Sequence, residues 1–183
     1  MELVDVYNNK HEKLSYTKGR KELVDGEFRL SCFIWIINDE GKILVQQRLA
    51  TAKKCPNMWE TASGGATKGD TPLSGALREL EEELGIKANK DDIRFIGSFA
   101  RVNDFVEVFL LESNISLDKL KLQDDEVQAA KWMTIEEFEK IIDSGNASDT
   151  SFDVFKKYYE KFYNTYLVFE DGKPVFKKIE KKN

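Results

Sequence analysis

Between Gly64 and Ile86 the chain reads GGATKGDTPLSGALRELEEELGI, and no other stretch constrains its fold so tightly. Taken at about 100° per residue from Pro72 to Leu84, the residues Leu73, Ala76, Leu77, Leu80 and Leu84 fall on one stripe of about 100°, the width of a core-facing helix surface. Glu79, Glu82 and Glu83 share an adjoining face. Gly75 lies in line with them one turn earlier, where a missing side chain leaves space beside the carboxylates. Arg78 borders Glu82, and Glu81 points away. Like charges at this spacing destabilise an isolated helix. Either the acids form a solvated face laced with ion pairs, or they make a hard-oxygen site whose divalent cation cancels the repulsion.

Composition decides which cation such a site would take. The chain has one histidine, His11, and two cysteines, Cys32 in an apolar run and Cys55 in a loop. That leaves neither a disulfide framework nor a thiolate or histidine centre, so a metal would be held by oxygen, as Mg²⁺ or Mn²⁺ are. A net charge of −5 and a pI near 5.2 speak against nonspecific nucleic-acid binding. The basic KPVFKKIEKKN is short and reads as a solvated end. No apolar run approaches the roughly 18 residues of a bilayer span, and MELVDVYNNKHEK lacks the apolar stretch of a secretion signal. The expectation is a cytoplasmic protein with neither a nucleic-acid nor a membrane partner. With 183 residues, 41% of them hydrophobic, one globular domain with extensions is expected.

The flanks read mostly as strands. FRLSCFIWIIN and KILVQQRL, joined at DEGK, form a hairpin pattern, and IRFIGSFARV, FVEVFLLES and EVQAAKWM are three more short apolar runs. TIEEFEKIIDSG opens on a Thr-x-x-Glu capping box and stops at Gly145, which predicts a helix. TSFDVFKKYYEKFYNTY sets Phe152, Phe155, Tyr159, Phe162 and Tyr166 at steps of three and four, predicting an amphipathic helix with an aromatic core face. Terminal hairpins are expected around Asp171-Gly172 and, in the first 26 residues, around NNK. The resulting division is an extension over 1–27, a main domain over 28–166 and a tail over 167–183.

The segment resembles the Nudix box, G-x5-E-x7-R-E-U-x-E-E-x-G-U with U a bulky aliphatic residue. It matches at Gly64, Arg78, Glu79, Leu80, Glu82, Glu83, Gly85 and Ile86, and Asp70 stands where the family has Glu. The resemblance implies an α/β fold, an α/β/α sandwich with a mixed sheet and a loop-helix-loop motif. It also implies Mg²⁺- or Mn²⁺-dependent hydrolysis of a nucleoside diphosphate linked to another moiety, a small-molecule nucleotide or other diphosphate. Carried over by position, Glu79, Glu82 and Glu83 are metal ligands, with Glu83 or a carboxylate from elsewhere activating water, and Arg78 orients the glutamates through ion pairs. Asp70 reaches less far than Glu, and Asp70 or Thr71 before Pro72 also fits a helix cap. Glu126, just before a strand, stands where relatives often place a further ligand or base. Glu107 is a second candidate, because a charge inside an apolar strand needs solvent or a partner.

LSCFIWIINDEGKILVQQRLATAKKCPNMWETASGG is most similar to the branch related to isopentenyl-diphosphate isomerase, through its Gly-Lys hairpin, Gln-Gln-Arg and Pro-x-x-Trp loop. That family's catalytic cysteine falls on Ser63, an adjacent metal-binding histidine on Gly65 and another near Arg29. A serine hydroxyl does not take over thiol proton chemistry, so the scaffold is shared and the isomerase site is not. Two alternatives to hydrolysis remain: an isomerase-like enzyme, and a non-catalytic nucleotide-binding module, which would be expected to lose box carboxylates that are all present here. Arg48, Lys53, Lys54 and Arg101 are candidate phosphate partners, against the ordinary reading of surface charge. Trp59, Phe99 and Phe105 suit a base or the core equally. The amino-terminal hairpin is a candidate homodimer surface.

Overall fold

A computed structural model describes residues 2–163, and beyond them the backbone of two strands. A hairpin of Leu3–Tyr7 (β1) and Lys13–Gly19 (β2) precedes a mixed sheet of Arg29–Ile37 (β3), Ile43–Arg48 (β4), Trp59–Glu60 (β5), Ala62–Gly65 (β6), Ile93–Ala100 (β7), Asp104–Glu112 (β8) and Val127–Met133 (β9). Three helices, Pro72–Leu84 (α1), Ile135–Asp143 (α2) and Phe152–Phe162 (α3), are followed by the antiparallel strands Thr165–Glu170 (β10) and Lys173–Lys178 (β11). The expected turn at residues 171–172 lies outside the described residues.

β3 is buried along its whole length, so its run of β-branched and aromatic residues makes the central strand. It pairs in parallel with β8 from Arg29↔Asp104 to Ile37↔Glu112. Its alternating side chains feed two cores. Cys32, Ile34 and Ile36 pack with Ala76, Leu80 and Leu84 of α1, whereas Phe33, Trp35 and Ile37 pack with Phe138 of α2 and Phe152 and Phe155 of α3. Trp35 stacks on Phe155 at 4.3 Å, and its indole N–H donates to Ser151 Oγ at 2.9 Å. The result is the expected α/β/α sandwich.

The β3–β4 hairpin is paired only beside its turn, at Ile36↔Leu44 and Ile37↔Ile43. Beyond that the strands splay, and the run WETASGG fills the gap as two short strands that the sequence reading passed over. β5 pairs with β4 at Gln46↔Glu60 and Gln47↔Trp59, and β6 pairs with β3 from Ser31↔Gly65 to Ile34↔Ala62. Thr61 between them donates its hydroxyl to Ile34 O. The splay opens a cleft at the Arg29 end of β3.

Two local expectations need correction. The aromatic helix ends at Phe162, which is 52% exposed rather than core, and Tyr166 belongs to β10. Gly75 faces Ala66, whose Cα lies 3.5 Å from where a Cβ would stand, so it lets α1 approach β6 and does not make room beside the acids.

Candidate active site

Helix α1 is fixed at both ends by local chemistry. Thr71 caps it reciprocally with Ser74, Pro72 occupies the first turn, and Gly85 closes it in the left-handed conformation with φ 70°. Leu80 and Leu84 bury one face, which turns Glu79, Glu82 and Glu83 toward the cleft. Ser63, Gly64, Arg78, Glu60 and Glu126 line it with them.

Arg78 organises this wall. Its Nη1 lies 3.0 Å from Glu79 Oε1 and 2.7 Å from Glu82 Oε2, and its Nη2 donates to Gly65 O at 2.9 Å. Gly64 gives Glu79 its place, because a Cβ there would stand 2.0 Å from Glu79 Cδ. Glu83 is 2% exposed and accepts from the Ser63 N–H at 3.1 Å and from Gln46. Burial, with Glu82 and Glu126 nearby, pushes Glu79 up to about 7 despite Arg78. Burial and the neighbouring Glu79 and Glu60 raise Glu83 well above the usual carboxylate range.

As they stand, no three His, Cys, Asp or Glu side chains among the described residues are gathered to grip a metal, and Glu82 is turned onto Arg78. The donor set nevertheless fits a hard cation in kind. It consists of carboxylate oxygens lining one cleft, with Glu83 buried and Glu79 half-buried, and the single Arg78 guanidinium shared between Glu79 and Glu82. Glu126 is exposed at the cleft edge and close enough to raise Glu79.

The other candidates divide. Asp70 is not the helix cap. Its carboxylate accepts from Thr67 N–H at 3.0 Å, Thr67 Oγ1 at 2.8 Å and Ser74 Oγ at 3.0 Å, and lies 3.8 Å from Arg78 Nε. Burial works against its ionisation, but these bonds and Arg78 win, and its pKa falls below the usual value. Arg48, Lys54 and Arg101 line the cleft, and Lys53 is exposed outside it. Arg48 is already paired with Glu60 at 2.7 Å. Glu107 is not among the cleft residues; burial raises its pKa and His11 opposes the rise. Phe105 is sandwiched between His11 and Phe28, while Trp59 and Phe99 pack against the α2–α3 core. Sequence reasoning missed Arg20, Gln46 and Glu60, which reach the site only through strand topology, and it placed Arg29 there only as the successor of a lost histidine.

The NUDIX domain pattern matches residues 27–153. A Nudix hydrolase of Listeria monocytogenes, itself uncharacterised, is 35% identical over 147 residues, covering 79% of this chain and 87% of the relative. Nudix hydrolase 3 of Arabidopsis thaliana is 31% identical over 173 residues, which are 86% of this chain and 22% of that longer protein. A crystal structure from Deinococcus radiodurans superposes with a TM-score of 0.71 at 19% identity, over 86% of this chain and 99% of that one.

Proposed function

This chain belongs to the Nudix family and is a Nudix hydrolase, and on that premise we propose that it cleaves a diphosphate bond in a nucleoside diphosphate linked to another moiety, using Mg²⁺ or Mn²⁺ held by Glu79, Glu82, Glu83 and Glu126. Members of the family generally hydrolyse such compounds and generally use divalent cations. The observation that carries the reading is the single cleft that joins these four carboxylates to the cations Arg48, Lys54 and Arg101. When bound, the metal supplies charge neutralisation at the bridging and nonbridging phosphate oxygens.

The chain's own residues do the rest. Arg78 holds Glu79 and Glu82 in place through its fork of donors. Ser63 N–H and Gln46 fix Glu83, which takes the proton of the attacking water. Lys54 holds the departing phosphate in the cleft. The acidic balance of the chain favours a small molecule over nucleic acid, and a cytoplasmic setting belongs to the same reading. The β1–β2 hairpin bears on its own chain, with Tyr7 bridged to Phe28 and Lys68 N–H donating to Leu3 O, so its outer face is what remains for a homodimer.

Isomerase chemistry finds no support. Ser63 and Gly65 occupy the positions of its thiol and imidazole, and His11 is not among the cleft residues. Cys32 does line the cleft, but burial pushes its thiol up to about 12, and its Sγ donates to Gly64 O.

The test is a hydrolysis screen of nucleoside triphosphates, sugar nucleotides, dinucleotide polyphosphates, coenzyme A, NADH and isoprenyl diphosphates, with Mg²⁺ and with a chelator. Metal-dependent cleavage that Glu83→Gln abolishes is expected. Full activity in that variant sinks the role given to Glu83, and clean isomerisation without phosphate release reverses the reading.

A further inference from the structure

Opposite the carboxylates the cleft has a second wall. Arg29, the first residue of β3, is 8% exposed. Its Nε lies 2.7 Å from Asp104 Oδ1 and its Nη2 donates to Asp104 Oδ2 at 3.3 Å, but the buried Nη1 has no partner. That nitrogen is 2.5 Å from where a Cβ on Gly65 would stand, and Arg20 Cζ, reaching over from the end of β2, is 3.8 Å from the same point. Arg101, after β7, shares Asp104 at 2.5 Å and reaches Ser31 Oγ at 3.4 Å. All three arginines line the cleft that holds Glu79, Glu82 and Glu83.

The charges do not cancel. Three guanidiniums face Asp104 and Glu2, the latter 3.8 Å from Arg20, which leaves an excess of one positive charge in a chain whose net charge is −5. Burial and the two neighbouring arginines press on the Arg29 cation, which stays protonated all the same. A buried charged donor without a partner is costly, and a ligand that completes it removes the cost. A planar carboxylate would be satisfied by one guanidinium fork. Guanidiniums converging from three segments suit a tetrahedral, doubly charged group. Gly65 leaves the room that Arg29 Nη1 takes up, so the absence of a side chain there lets the guanidinium sit against the cleft.

We propose that Arg20, Arg29 and Arg101 bind a second phosphate of the substrate, one lying beyond the diphosphate bond that is cleaved. This rests on the hydrolase reading. The phosphate is either the end of a polyphosphate chain or a monoester on the attached moiety, and the chemistry of recognition is the same.

The test measures kcat/KM on pairs that differ by one phosphate: ATP with ADP for the chain end, and coenzyme A with its 3′-dephospho form and NADPH with NADH for the monoester. At least one pair should show a preference of about 10- to 100-fold for the additional phosphate, expressed mainly in KM. The preference should collapse in Arg20→Gln, in a half-exposed side chain that folding tolerates, and in Arg101→Gln, and should persist in Lys87→Gln, outside the cleft. Hydrolysis with no preference in any pair, or a preference that survives both arginine variants, overturns the proposal. Should none of these compounds be hydrolysed, the hydrolase reading fails on its own terms. The corner is then judged by ³¹P line broadening of millimolar inorganic phosphate without metal: broadening by the wild type that Arg20→Gln removes supports it, and its absence in the wild type overturns it.

Discussion

The acidic wall of the cleft comes from one turn and a half of helix α1, where Glu79, Glu82 and Glu83 sit within five residues, whereas the basic wall is assembled from Arg20, Arg29 and Arg101 on three separate segments. The acids are placed by helical period and by two buried leucines, so their common face follows from local sequence. The arginines meet only because β3 pairs with β8, which puts Arg29 opposite Asp104, and because the amino-terminal hairpin brings Arg20 across Gly65. The box that defines a Nudix chain lies on the first wall. The second wall draws its arginines from outside it, and under the proposal above that is where substrate choice would be made.

The largest expected effect falls on the acidic wall. Glu83→Gln should lower kcat by about 10³-fold or more. Its melting temperature should hold or rise: burial lifts the folded-state pKa of Glu83 above its unfolded value, so ionisation costs stability at neutral pH and the neutral amide removes that cost. Gly64→Ala should cost about 10²-fold, because the new methyl drives the Glu79 carboxylate from its place. A variant with wild-type turnover would show that Glu79 is not held where hydrolysis needs it. Arg78→Lys keeps the charge but loses the fork spanning Glu79, Glu82 and Gly65 O, and about 10-fold weaker Mn²⁺ binding is expected by titration.

Smaller effects sharpen the account of the basic wall. Glu27 ties down the hairpin that carries Arg20, accepting from Lys18 at 2.7 Å, Tyr16 at 2.8 Å and Val24 N–H at 3.0 Å. The Lys18 contact and the other two bonds lower its pKa from 4.5 to about 2. A depressed carboxylate pKa gives stability that is present above pH 4.5 and is lost as pH falls toward 2. Amide exchange in β2 should therefore accelerate across that window, and in Glu27→Gln it should already be fast at neutral pH, with little pH response. The smallest effect is Asp70→Glu. Restoring the family residue disturbs the bonds to Thr67 and Ser74, and about 0.5–1 kcal/mol of stability should be lost in a denaturant titration with little change in turnover.

Much of this molecule can be read from its residues. The caps of α1 and α2, the face shared by the glutamates and the aromatic packing of Phe152 and Phe155 all follow from short-range periodicity. Phe162 escaped because a helix end frays out of the core, and Tyr166 because the chain turns into a strand there. WETASGG carries no alternating pattern, so β5 and β6 became visible only as partners of β4 and β3. The basic wall was the least legible part, since nothing local marks Arg20 or Arg29 as neighbours and a lone arginine in sequence looks like surface charge.

The central claim is that the two walls have separate tasks, cation holding on one and substrate selection on the other. Mn²⁺ titration followed by electron paramagnetic resonance, with no substrate present, tests it most directly. The account predicts that the wild type sequesters Mn²⁺, that Glu79→Gln and Glu82→Gln each weaken binding by about 10-fold or more, and that Arg20→Gln binds as the wild type does. Equal Mn²⁺ affinity in the wild type and both glutamate variants would contradict it.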